Sequence, residues 1–208
     1  MTDTASRARN RRGEGGRLRE EIVAAAVELL AETGDERALT LRSIARRAGI
    51  AAPSIYAHFA DQPAIMLAVV RGAFAELTLV LRTAAEQTDT PRARLEAISR
   101  AYLDYARTHP ERYRTMFGGL WVPTLESGGS VTEEDLSTLG DECLGLLTSA
   151  LAECAATGVS TSSDPAADAV ALWLGLHGLA HQRASTRAFP WPDGIEDRLI
   201  TSLGGLDR

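Results

Sequence analysis

The stretch TLRSIARRAGIAAPSIYAHF, residues 40–59, constrains the fold more than any other part of the chain. Thr40 is an N-cap residue ahead of a run in which Leu41, Ile44, Ala45 and Ala48 recur at the three- and four-residue steps of one helix face. Gly49 stops that run after about two turns. Pro53 then opens a second short helix, expected to end near His58. Helices this short do not persist alone and must pack against one another. Ala45 and Ala48 give small facing side chains, and Gly49 gives a turn residue tolerant of positive φ. Ile44, Ile50 and Ile55 give a shared core, and the spacing is that of a helix-turn-helix.

With its core face assigned, the second of these helices has Ala52, Pro53, Ser54 and Ala57 left to point outward. A small, flat face of this kind enters a major groove, where short side chains touch thymine methyls or bond base edges. Tyr56 and His58 flank it with polar tips suited to phosphate oxygens, and Arg42 suits a phosphate or a guanine edge. The competing interpretation is a helical corner with Tyr56 and His58 hydrogen-bonded inside. An isolated Tyr-x-His favours the corner. The whole constellation, between an arginine-rich arm and a long helix, favours a DNA-binding surface.

Charge supports the second interpretation. The formal net charge of −6 argues against uniform coating of nucleic acid. Its distribution is one-sided: residues 1–50 hold ten arginines and eight acids, residues 51–208 twelve arginines and twenty acids. Arg7, Arg9, Arg11, Arg12, Arg17 and Arg19 crowd the first residues, and lysine is absent. A positive end on an acidic body suits an anionic partner met at one pole.

The remaining pattern is helical, and the expected fold is all-α with about nine helices. Leu18, Ile22, Ala26, Leu29 and Thr33 form a first stripe closed by Gly34; Asp61 caps a long helix over 62–88 with Met66, Val69, Ala73, Leu77 and Val80 inward. Further helices are expected at 90–108, 110–117, 132–157, 165–187 and 194–203, with a flexible loop over 120–131. Residues 1–16 are expected to be a flexible basic arm, 17–61 a helix-turn-helix DNA-binding domain, and 62–208 a helical ligand-binding and dimerisation domain. No apolar run is expected to approach the roughly 18–20 residues that span a bilayer, and no apolar stretch follows the basic N-terminus as in a secretory signal. Cys143 and Cys154 share one expected helix at about 16 Å separation, beyond disulfide reach. A reduced, cytoplasmic setting is expected.

Residues 17–70, and above all TLRSIARRAGIAAPSIYAHFADQPAIM, resemble the DNA-binding domain of the TetR family of bacterial transcriptional regulators. The resemblance implies groove-facing roles for Arg42, Ala52, Pro53 and Ser54, and backbone-contacting roles for Thr40, Tyr56 and His58. Two positions depart from the family pattern. Gln62 stands where a phosphate-pairing lysine is usual, and Ala51 where a Ser or Thr usually caps the recognition helix. Gln62 still brings a hydrogen-bonding group to the DNA side.

HPERYRTMF (109–117) and ALWLGLHGLAHQRA (171–184) resemble a TetR C-terminal domain type named for a Trp-His-Gly signature, met by Trp173, His177 and Gly178. The resemblance implies a homodimer through 165–187 and 194–203, with Gly175 and Gly178 permitting close helix approach. It also places Tyr102, Tyr105, Met116, Phe117 and Trp121 around a ligand pocket, with Trp173 and His177 beside them. The implied function is a ligand-responsive repressor that binds a palindromic double-stranded DNA operator and is released by a small organic effector, with no cofactor and no membrane partner. The alternative is a metal sensor or enzyme using His177 and His181, which have i, i+4 spacing. A nucleophile elbow, a phosphate-binding glycine loop and a usefully spaced carboxylate pair are all missing from the sequence, so no enzyme and no metal site is expected.

Overall fold

The structure, a computed structural model, describes residues 15–119, 121, 129–186 and 188–206. Residues 1–14 of the expected basic arm and most of the loop over 120–131 lie outside these residues, and the arm's expected last two residues, Gly15 and Gly16, belong to the first helix. The described residues form an all-α fold: α1 (Gly15–Thr33), α2 (Leu41–Ala48), α3 (Gln62–Glu86), α4 (Pro91–Thr108), α5 (Pro110–Phe117), α6 (Glu133–Ser137), α7 (Asp141–Ala156), α8 (Pro165–Ser185) and α9 (Ile195–Leu203). Two 3₁₀ segments, Glu36–Ala38 and Ala52–Ala57, complete the order. The chain forms two compact units, Met1–Val70 with Leu120–Glu133, and Arg71–Gly119 with Glu134–Arg208.

In the first unit α1, α2, the second 3₁₀ segment and the start of α3 enclose Ile22, Ala26, Leu39, Ile44, Ile55, Ile65 and Met66, all with no measurable exposure. Local chemistry sets each boundary. Ser43 N–H donates to the Thr40 hydroxyl at 3.1 Å and Thr40 N–H to the Ser43 hydroxyl at 2.9 Å, a reciprocal capping box that fixes where α2 begins. Gly49 ends it at φ +66°, left-handed backbone that only glycine adopts without cost. Ala64 N–H donates to Asp61 Oδ1 at 2.9 Å, which starts α3. The short helix after Gly49 is a 3₁₀ segment rather than an α-helix. Ala51 makes no side-chain cap bond and Pro53 removes an N–H from the first turn, so six residues are held mainly by the burial of Ile55.

The second unit packs α4, α7 and α8 around Leu95, Leu151, Cys154, Ala169, Leu172 and Leu176, all fully buried. Thr90 and Asp164 cap α4 and α8 through the N–H groups of Ala93 and Ala167, with proline in each first turn. A Cβ on Gly175 would stand 2.5 Å from Leu203 Cδ1, so this glycine sets the approach of α9 to α8 within the same chain. Gly178, by contrast, faces open space. The single helix expected over 132–157 is two helices, because Gly140 at φ +84° turns the backbone between α6 and α7. Cys143 and Cys154 are both free and buried along α7.

The membrane expectation needs correction. Over its most apolar 18-residue window α3 has mean hydropathy 2.0, long and apolar enough to cross a bilayer, with half of that window buried in the protein. Its composition follows from its position. The same helix supplies Ile65, Met66 and Val69 to one core and Leu77 and Leu81 to another.

Candidate nucleic-acid interface and body cavity

Burial of Ile55 and Phe59 in the first unit's core turns Pro53, Tyr56 and Ala57 outward, whereas Ala52, expected to face outward, packs against that core. Tyr56 is 63% exposed, the highest value among the large apolar or aromatic side chains together with Leu79. Pro53 and Ala57 are exposed beside it, and Ala52, Ser54 and His58 are half-buried. The corner interpretation, with Tyr56 sealed inside, does not describe this chain. Thr40 is exposed at the head of α2 but engaged with Ser43.

Arg42 and Arg46 lie one turn apart on the exposed face of α2, and neither makes an ion pair among the described residues. Arg47, their neighbour, is held by Glu28 at 3.3 Å and by Glu32. Arg46 was not legible as a separate feature, because three arginines in six residues look alike until their partners are known. Gln62 also differs from expectation. Its Nε2 donates to the Glu36 carbonyl at 3.0 Å, tying the start of α3 to the segment before α2. Burial raises the pKa of the adjacent Glu36 carboxyl, with Asp35 adding to the effect.

The second unit contains a cavity of about 230 Å³. Phe74, Leu77 and Leu81 of α3, Tyr102 of α4 and Phe117 of α5 form one side. Gly140, Asp141, Cys143, Leu144 and Leu147 of the α7 segment and Trp173 of α8 form the other. Phe117 meets Phe74 edge-on at 5.5 Å between centroids and lies 6.3 Å from Trp173. Behind this wall the Tyr113 hydroxyl is 2.7 Å from His177 Nδ1 and 3.1 Å from the Tyr102 hydroxyl. Burial lowers the pKa of His177, with His181 adding to it, which favours the neutral imidazole. Burial likewise pushes Tyr113 up to about 12 and raises the Cys143 thiol.

Of the expected pocket residues, Tyr102, Phe117 and Trp173 line the cavity, and His177 stands directly behind it. Met116 is half-buried against the surrounding core without lining the space. Tyr105 stacks on His109 at 4.7 Å instead of facing the cavity, and its pKa is raised by burial and by Glu76. Trp121 packs on the core of the first unit and has no place in the cavity. Gly118 and Gly119 intervene between it and Phe117, so nearness in sequence did not carry over into space. For His177 and His181 as metal ligands, no group of three or more His, Cys, Asp or Glu that could hold an ion occurs among the described residues.

Known proteins show both halves of this arrangement. Residues 22–69 match the family model described as bacterial regulatory proteins, tetR family, and residues 95–203 match the one described as tetracyclin repressor-like, C-terminal domain. Over 136 residues the chain is 32% identical to the HTH-type transcriptional activator FasR of Mycolicibacterium smegmatis, an alignment spanning 59% of this chain and 61% of that protein. The matched region is thus less than two thirds of FasR. A protein of unknown function from Rhodococcus sp. RHA1 is similar at TM-score 0.73 and 26% identity, over 96% of this chain and 100% of that one. The regulator FadR from Bacillus subtilis, solved with stearoyl-CoA, is similar in fold at TM-score 0.67 and 16% identity, over 90% of this chain and 99% of its own.

Proposed function

Because the chain belongs to the TetR family of bacterial regulatory proteins, we propose that it is a dimeric, cytoplasmic, effector-gated regulator that binds a palindromic DNA operator. The observation that carries this reading is the exposed 3₁₀ segment. In this reading Pro53 and Ser54 face a major groove beside the core-packed Ala52, Tyr56 and His58 reach toward phosphates, and Arg42, without an ion pair among the described residues, stands at the flank. Arg46 extends the same positive face by one helical turn. Gln62 acts indirectly in this reading, holding α3 against the Glu36 carbonyl, and Thr40 supports α2 through its capping box with Ser43.

Dimerisation follows from an uncovered apolar stripe. Val170, Leu174 and Gly178 succeed one another on α8 at four-residue steps, with Leu174 55% exposed and Leu203 of α9 36% exposed. A second copy, related by a two-fold axis, covers that stripe and presents a second recognition segment to the next major groove. The aromatic cavity receives the effector. Repression follows where the operator overlaps a promoter, and the effector relieves it to the extent that it prefers the conformation unable to bind DNA.

The test is binding of the full-length protein to the DNA flanking its own gene, for wild type, Arg42→Ala and Tyr56→Ala. Each substitution removes an exposed side chain, so melting temperatures stay close to wild type while operator affinity drops by about tenfold or more. Unchanged affinity in both variants would remove this segment as the DNA-contacting surface.

A further inference from the structure

We infer that the cavity of the second unit is made for a small amine, one protonated nitrogen carried on a single ring with a short apolar extension. The inference rests on the reading of that cavity as the effector site and adds the chemical class of its occupant.

Size sets the first limit. At about 230 Å³ the space is about one and a half times the roughly 150 Å³ of an apolar cavity that takes up benzene. One ring and a few further heavy atoms fill it. The walls fit a ring: Phe74, Tyr102, Phe117 and Trp173 supply aromatic faces and edges, and Leu77, Leu81, Leu144 and Leu147 supply the rest.

Polarity sets the second limit. The Tyr102 hydroxyl is engaged by Tyr113 and His177, and the Cys143 thiol by the Thr78 hydroxyl at 3.1 Å. The Gly140 carbonyl accepts from Leu144 N–H at 3.0 Å, and Asp141 N–H donates to the Thr138 carbonyl at 3.3 Å. The Trp173 indole is engaged by the Tyr102 hydroxyl as well, and the Asp141 carboxylate, on an exposed residue at the start of α7, makes no hydrogen bond or ion pair among the described residues. It is also the one charged side chain in the lining, with no Arg, Lys or His to receive an anion.

The surrounding charges leave this end negative. Glu142, next along α7, is offset by Arg82 of α3 at 3.7 Å. The N-terminus of α7 contributes about half a positive charge, against a full negative charge on Asp141. An acidic ligand therefore meets repulsion without a counter-ion, whereas an ammonium group meets a carboxylate on one side and aromatic faces on the other. Gly140 lets the Phe74 ring pack directly against this turn, since a Cβ there would stand 2.9 Å from Phe74 Cε1.

The experiment is calorimetric titration of the full-length protein near neutral pH with three probes of matched shape: 2-phenylethylamine, 2-phenylethanol and phenylacetate. The amine is expected to bind at least tenfold more tightly than phenylacetate and several-fold more tightly than the alcohol. Asp141→Asn, an exposed substitution, brings the amine to the affinity of the alcohol and leaves the alcohol unchanged. Leu144→Trp, which fills the cavity from α7, abolishes binding of all three. If the alcohol or the acid binds as tightly as the amine and Leu144→Trp removes that binding, the amine class is overturned and the effector site stands. If none of the three binds, or if Leu144→Trp leaves binding intact, both readings fall.

Discussion

His177 shows how single residues are tuned in this chain. Its ring lies 5.0 Å from Phe117 and 5.6 Å from Trp173, and its Nδ1 is 2.7 Å from the Tyr113 hydroxyl, so protonation would leave a cation short of water. The pKa is accordingly below the ordinary 6.5, with burial the main cause and His181 the second. A base whose pKa is lowered on folding binds fewer protons folded than unfolded, so its stabilising effect is present above about 6.5 and is lost as pH falls toward the folded value. Melting temperature followed from about pH 7.5 to about pH 5.5 is expected to fall faster for wild type than for His177→Gln, which does not titrate. Equal slopes would show that His177 does not carry this pH dependence. The sequence alone put His177 beside Trp173 on one helix face. It could not reveal Tyr102 and Tyr113 as partners, because both reach His177 across other helices.

At the scale of elements, legibility followed the range of the forces involved. The boundaries of α2 were legible because Thr40, Ser43 and Gly49 act on backbone within a few residues of themselves. Thr40→Ala is expected to cost about 1 kcal/mol in urea unfolding, because it removes one half of the capping box. Thr40→Ser keeps the hydroxyl and is expected to cost less than half as much. A neutral Thr40→Ala would contradict the capping role. Two features escaped this local logic. The helical pattern continues through 132–157, and Leu139 and Leu144 hide the turn that Gly140 makes between α6 and α7. The cavity escaped as well, since its walls come from five helices and its leucines look in sequence like any core leucine. Trp121 is the converse case, an aromatic residue near Phe117 in the chain that belongs to a different core.

At the scale of the whole molecule, the division of labour is written in charge and exposure. The all-α architecture was legible throughout, from three- and four-residue periodicity and the absence of alternation. The basic bias of the first fifty residues and the acidic bias of the rest match a protein that meets DNA at one end. In the proposed reading such a surface binds any duplex weakly through phosphates and gains its specificity from the segment after Gly49, doubled by a two-fold axis. In the proposed dimer, the apolar stripe of α8 with Leu174 at its centre is the face that a second copy covers.

The most direct test is therefore a titration of the full-length protein against the duplex flanking its own gene and against unrelated duplex, repeated over a salt series, with the stoichiometry counted. The expected result is two chains on one palindromic site, bound about a thousandfold or more tightly than unrelated DNA, with affinity falling steeply as salt rises. Equal affinity for both duplexes, or no retention of DNA at low salt, would contradict the claim that the segment after Gly49 reads an operator.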